Sequence, residues 1–149
     1  MPNWIEGTIK LRGKREDIAR FIRDKVDNGC EYVHVDDYGA IEVNITRYYN
    51  YVEDTRRMFI LEGCDSLDEE DGIICLPVKQ AWSFKADAVD RERLEVLARK
   101  YDIDIKLYGI ECGAQFEQEI TVSHKGEVIY KFQEYEDWDW ECKFPRMGG

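Results

Sequence analysis

Residues 4–26 read WIEGTIKLRGKREDIARFIRDKV, and a change of period inside this stretch decides the fold. In the first half Thr8, Lys10 and Arg12 alternate with Ile9 and Leu11, the period-two pattern of a half-buried strand, which Gly13 is expected to break. From Lys14 to Val26 the apolar residues Ile18, Ala19, Phe21, Ile22 and Val26 return at spacings of three and four, giving a helix with one apolar stripe. Glu16 and Asp17 in its first turn and Lys25 near its end complement the helix dipole, and Asp27-Asn28-Gly29 supplies the stop.

A second unit of the same kind lies downstream. Ala81 to Ala86 (AWSFKA) reads as a strand, Asp87 or Asp90 can cap the next helix, and Leu94, Leu97, Ala98 and Tyr101 form its stripe. Ile103, Ile105 and Leu107 then alternate with Asp104 and Lys106 in a further strand. Two strand–helix–strand units predict an α+β, ferredoxin-like sandwich: a mostly antiparallel sheet with two helices on one face, where both stripes are buried at once. Glu31 to Arg47 and Phe116 to Phe132 read as hairpins turning at Asp36-Asp37-Tyr38-Gly39 and His124-Lys125-Gly126. Met58 to Leu61 reads as a short strand, Tyr48-Tyr49-Asn50-Tyr51 as core or sheet face, and Glu62–Asp71 (EGCDSLDEED) as a loop. The expected organisation is one domain over 1–144 with an acidic insert around 62–71, followed by a flexible tail over 145–149.

The chain has 149 residues, 44% of them apolar and 13% aromatic, enough for a self-sufficient core. Its net charge of −11 argues against general nucleic-acid binding and against docking on anionic membrane, because both need Lys and Arg to meet phosphate. The charge is also unevenly placed. Glu62–Asp71 holds six acids and no base, and Glu111–Cys142 holds nine acids against Lys125 and Lys131. The remaining residues are close to neutral, so the acidity belongs to two segments. No signal-peptide-like start and no run of about 18 apolar residues is seen, so the expected location is the cytoplasm.

Several quoted features together resemble a known family: MPNW at residues 1–4, a first strand ending in Gly, the AWS of Ala81–Ser83, LEVLARKY, and Tyr108…Glu111…Gly113…Phe116. Over about residues 1–130 the chain resembles the YubB-type ferredoxin-like domain family, phage- and plasmid-encoded proteins largely of unknown function. The resemblance implies a ferredoxin-like core and a mobile-element origin, and it carries over no catalytic residue. The chain departs from the family pattern in Glu62–Asp71 and in the acidic C-terminal stretch.

Five cysteines, Cys30, Cys64, Cys75, Cys112 and Cys142, form an odd set without a C-x-x-C pair and read as reduced thiols acting as small hydrophobes. His34 and His124 stand far apart in sequence, so neither a zinc site nor any cofactor is expected. The run Asp68–Asp71 lacks the alternation of a calcium loop and reads as solvated. The leading expectation is therefore a non-enzymatic acidic module. It would inhibit by occupying a basic nucleic-acid-binding surface on a host defence nuclease, such as a CRISPR effector, without touching nucleic acid or membrane itself. The residues expected to meet that partner are Asp65, Asp68, Glu69, Glu70 and Asp71, together with Glu134, Glu136, Asp137, Trp138, Asp139, Trp140 and Glu141. In the tail, aromatic anchors alternate with acids suited to a basic rim. The alternatives are a small hydrolase-like enzyme using Cys112 with His124 or the clustered carboxylates, and an RNA- or nucleotide-binding ferredoxin-like module.

Overall fold

The computed structural model describes residues 3–26, 33–35, 37–45, 50–55, 57–84 and 88–147, with backbone alone at 33–35 and 88–93. Strand β1 (Trp4–Lys14) is followed directly by helix α1 (Arg15–Lys25). Five short strands come next: β2 (Val33–Val35), β3 (Ile41–Ile45), β4 (Asn50–Tyr51), β5 (Met58–Ile60) and β6 (Gly63–Leu67). The chain continues through β7 (Asp71–Ala81), α2 (Ala88–Tyr101), β8 (Asp104–Glu111), β9 (Phe116–Val122) and β10 (Val128–Glu134), and closes on a one-turn helix, α3 (Trp138–Glu141).

Seven strands form one sheet in the order β10-β9-β8-β1-β7-β5-β4, and β2-β3-β6 form a second. β1 runs antiparallel to both β7 and β8, so β7-α2-β8 is a split crossover with β1 inserted between its strands. That insertion is the ferredoxin-like plan, and the α+β sandwich read from the sequence is the fold. Ile18, Phe21 and Ile22 of α1 and Leu94, Leu97 and Tyr101 of α2 are buried on the same core as Ile5, Ile9, Leu11, Ile105 and Leu107. Phe21 meets Tyr101 edge to face at 5.5 Å, joining the two helices side by side on one face of the sheet. Among the described residues no helix is long and apolar enough to cross a membrane.

Three local expectations are corrected. β1 does not break at Gly13, because Gly13 stays paired opposite Gly72 and the strand runs on to Lys14. Residues 82–84 are not a strand, and Lys85 and Ala86 lie outside the described residues: the strand is Asp71–Ala81, and Trp82 leaves it with φ 65°, outside the extended region. Its Pro77 is tolerated where the β5 ladder gives out, since β5 pairs only as far as Val78 and Pro77 then needs only to accept, from Leu61 N–H at 2.9 Å. Nor is Glu62–Asp71 a loop throughout. Gly63–Leu67 is β6, paired with β3, and Asp71 opens β7, leaving a turn at Asp68-Glu69-Glu70. Backbone pairing to β3 satisfies β6 while Cys64 and Ser66 face water and only Leu67 is buried.

The other readings fall close to the observed elements. The hairpins at β2–β3 and β9–β10 are present, as are the strand at Met58–Ile60 and the helix over Ala88–Tyr101. Asp90 lies inside that helix, while Asp87, Asp36, Tyr48, Tyr49 and Cys30 lie outside the described residues. Tyr51 lies on the sheet, its ring 5.7 Å from that of Phe59. Cys142 alone of the described cysteines is buried; Cys64 is exposed, and Cys75 and Cys112 are half-buried.

Candidate functional site: a pinned acidic tail on the open sheet face

The helices cover one face of the seven-stranded sheet, and strand alternation places Glu6, Thr8, Lys10 and Arg12 on the other. Register puts Ile110, Tyr108, Lys106 and Asp104 beside them on that same face. The C-terminal segment folds back onto the end of this face where β8 finishes. Trp138 and Cys142 are buried there with Ile110, and Tyr108, Cys112, Tyr135 and Met147 pack around them. The Trp138 indole N–H donates to the Pro145 carbonyl at 2.9 Å, so Pro145 closes the segment on itself. Tyr135 packs on Trp138 at 5.7 Å. The Tyr108 hydroxyl donates to Glu117 at 3.0 Å. Burial, then the hydrogen bond to the same carboxylate, pushes the Tyr135 hydroxyl up to about 12, and the same two causes raise Tyr108. Glu117 thus accepts from the sheet tyrosine Tyr108 and stands near the tail tyrosine Tyr135.

This arrangement sorts the two tail tryptophans. Trp138 is 6% exposed and serves the interior, whereas Trp140 is 86% exposed. Glu134, Glu136, Asp137 and Asp139 surround them in sequence and are exposed. Glu141 accepts from the backbone N–H groups of Glu136 and Asp137, both at 3.2 Å, and so holds the turn that presents Trp140. Asp139 pairs with Arg146 at 3.4 Å on the surface.

The other acidic group sits elsewhere. Arg15 clamps the β6–β7 turn through its backbone: its guanidinium donates to the Asp68 carbonyl at 3.1 Å, and its N–H donates to the Glu70 carbonyl at 2.9 Å. The side chains of Asp68, Glu69, Glu70 and Asp71 are left exposed. Asp65 has a structural task, accepting from the N–H groups of Ser66 and Cys75 at 2.8 and 2.6 Å. Asp71 pairs with Lys14 at one end of β1, while Glu134 pairs with Phe116, itself opposite Glu111, at the other. Nine residues of β7 separate those levels, roughly 30 Å at about 3.3 Å each. The two acidic segments are therefore two patches at opposite ends of the sheet.

Cys112 and His124 flank β9 at opposite ends, so the fold does not bring this Cys–His pair together. The His124 ring instead meets Asp104 at 3.0 Å, and its backbone N–H donates to the same carboxylate at 2.8 Å. Glu111, only 1% exposed, accepts from the N–H groups of Gly113 and Ala114 at 2.7 and 2.6 Å, closing the β8–β9 turn. Its spacing from Gly113 in the sequence is thus a turn-forming device. Among the described residues no three His, Cys, Asp or Glu side chains are placed to hold a metal ion.

A second feature of the open face was not read from the sequence. Lys10, Arg12, Lys106 and Lys131 line a shallow groove of about 450 Å³ with Asp104 and Glu119. Burial alone would raise the Asp104 carboxyl, but hydrogen bonds from the His124 backbone, Arg12 and the His124 ring outweigh it and hold the group below 3.8. The Lys131 bond, with Lys106 and Lys10 nearby, holds Glu119 below 4.5. A carboxylate lowered in the folded state stabilises fully above its unfolded pKa, and that contribution fades as pH falls through the depressed value. Asp104→Asn with Glu119→Gln is accordingly expected to lower Tm near pH 7 and to flatten its decline below about pH 4.5. A thermal melt series from pH 7 to pH 2.5 reads this directly, and parallel wild-type and variant curves would contradict it.

Comparison of the chain with protein-family models, with curated proteins and with solved structures finds no match.

Proposed function

We propose that the protein is a binding module that docks its C-terminal segment on the basic surface of another protein. The observation that carries this reading is the division of labour between two tryptophans two residues apart. Trp138 is sunk into the sheet end, and Trp140 is held out in water among carboxylates. An exposed indole on a pre-ordered turn loses little conformational freedom on binding, and a buried Trp is the commonest energetic anchor of an interface. The flanking Glu136, Asp137 and Asp139 would meet a cationic rim and speed encounter. We infer further that the surface it covers is one that holds nucleic acid in a host defence nuclease, such as a CRISPR effector, in the bacterial cytoplasm. On this reading the protein is of mobile-element origin and acts as an inhibitor without catalysing a reaction. The Asp68–Asp71 turn would touch the partner separately, since it lies at the other end of the sheet.

The test is affinity capture from bacterial lysate at low and high salt, followed by affinity measurement on whatever basic protein is retained. Trp140→Ala is expected to weaken that complex about 30-fold, the effect of losing a hot-spot residue. Reversal of Glu136, Asp137 and Asp139 to Lys should slow association and remove the salt dependence. Retention of every captured protein by both Trp140→Ala and the charge-reversed chain would refute the docking role of the tail.

A further inference from the structure

On the same open face, away from the tail, the balance of charge inverts. Lys10 of β1 and Lys106 of β8 stand directly opposite each other in register. Like charges at such positions destabilise a sheet, so the pair carries a cost that packing does not explain. One strand further, Glu119 faces Lys131 at 2.9 Å and Lys106 at 3.9 Å, and Lys10 also acts on it. Arg12 is matched by Asp104 at 2.5 Å. A single carboxylate therefore serves three ammonium groups, an excess of two positive charges within a chain of net −11. Ile73 and Ile129, 53% and 61% exposed, flank these groups with apolar surface.

We propose that this groove binds a phosphate monoester of nucleotide size. The phosphate would sit between Lys10, Lys106 and Lys131, with the apolar body against Ile129 or Ile73. A dianion matches the uncompensated charge and relieves the Lys10–Lys106 repulsion. A groove of about 450 Å³ lies in the range of small-ligand sites. The surroundings select a short anion over a long one. A nucleic-acid strand leaving the groove would run toward Glu117 and the acidic tail at one end, or toward the Asp68–Asp71 turn at the other. This site is independent of the docking role given to Trp140.

The test titrates the full chain with adenosine 5′-monophosphate while recording backbone amide shifts, with adenosine and a 15-nucleotide single-stranded DNA as parallel titrants. Saturable shifts centred on Lys10, Lys106 and Lys131 are expected for the monophosphate, with adenosine at least tenfold weaker and the oligonucleotide no tighter. The double variant Lys10→Gln/Lys106→Gln should lose at least tenfold in monophosphate affinity. Absence of saturable shifts, equal binding of adenosine, tighter binding of the oligonucleotide, or unchanged affinity in the double variant would each overturn the proposal.

Discussion

Gly7→Ala is expected to destabilise the protein by more than about 4 kcal/mol, the range in which single substitutions become exceptional. β1 occupies the centre of the seven-stranded sheet, and Gly7 stands opposite Gly109 of β8. A Cβ at Gly7 would fall on the Tyr108 carbonyl oxygen and within 2.6 Å of the Gly109 Cα. Both are backbone atoms of a paired strand, so relief requires β8 to move and its ladder with β1 to open. Gly109→Ala is the informative contrast. Its added Cβ meets Phe84 and Ile5 side chains at 2.7 and 2.9 Å, groups that can shift, and the expected cost is the usual overpacking penalty of about 1–3 kcal/mol. Urea denaturation of both variants separates the cases, and a Gly7→Ala loss no larger than that of Gly109→Ala would show that side chains set the β1–β8 spacing. The position matters beyond stability because β1 joins the two halves of the face. β8–β10 carry the docked tail, and β7 carries the acidic turn.

The sequence was most legible where local pattern and burial ask for the same thing. The α1 stripe of Ile18, Ala19, Phe21 and Ile22 is the buried face of the helix, and Ile105 and Leu107 point inward as their alternation requires. Legibility failed where burial has no period. In β7 the residues Val78, Lys79, Gln80 and Ala81 are all buried, so alternation is lost, and Pro77 reads locally as a breaker. The Trp138–Trp140 spacing is ambiguous for a geometric reason. Residues i and i+2 share a face in a strand but point about 200° apart in a helix, so an apparent pair of anchors became one core residue and one exposed one. The lysine groove could not be found by scanning the chain. Lys10, Lys106, Glu119 and Lys131 come from four strands, and only the sheet order brings them together.

Trp138→Ala should do to binding what Trp140→Ala does, by a different route that hydrogen exchange can expose. Truncating a buried Trp removes about 3–5 kcal/mol of packing. The segment it holds is short, and the rest of the cluster is Ile110, Cys142, Tyr108, Cys112, Tyr135 and Met147. That loss matches or exceeds what the remaining contacts of so small a cluster can supply, so the segment is expected to leave the sheet while the main core stays folded. Global unfolding then records only the free energy of tail docking, which caps the measured destabilisation below the full cost of the truncation. Protection should disappear at the Cys142 N–H, which donates to the Trp138 carbonyl at 3.1 Å, and persist at β1 amides such as Ile9. Trp140→Ala should leave both sites protected and change stability by no more than about 0.5 kcal/mol, as expected of an exposed side chain. Partner affinity should fall at least tenfold in both variants: in Trp140→Ala because the anchor is gone, in Trp138→Ala because the anchor must be ordered again on binding. Unchanged protection of Cys142 in Trp138→Ala would mean that the packing of Tyr135 on the sheet end suffices to hold the tail. Pre-ordering of Trp140 would then have to be sought in that tyrosine.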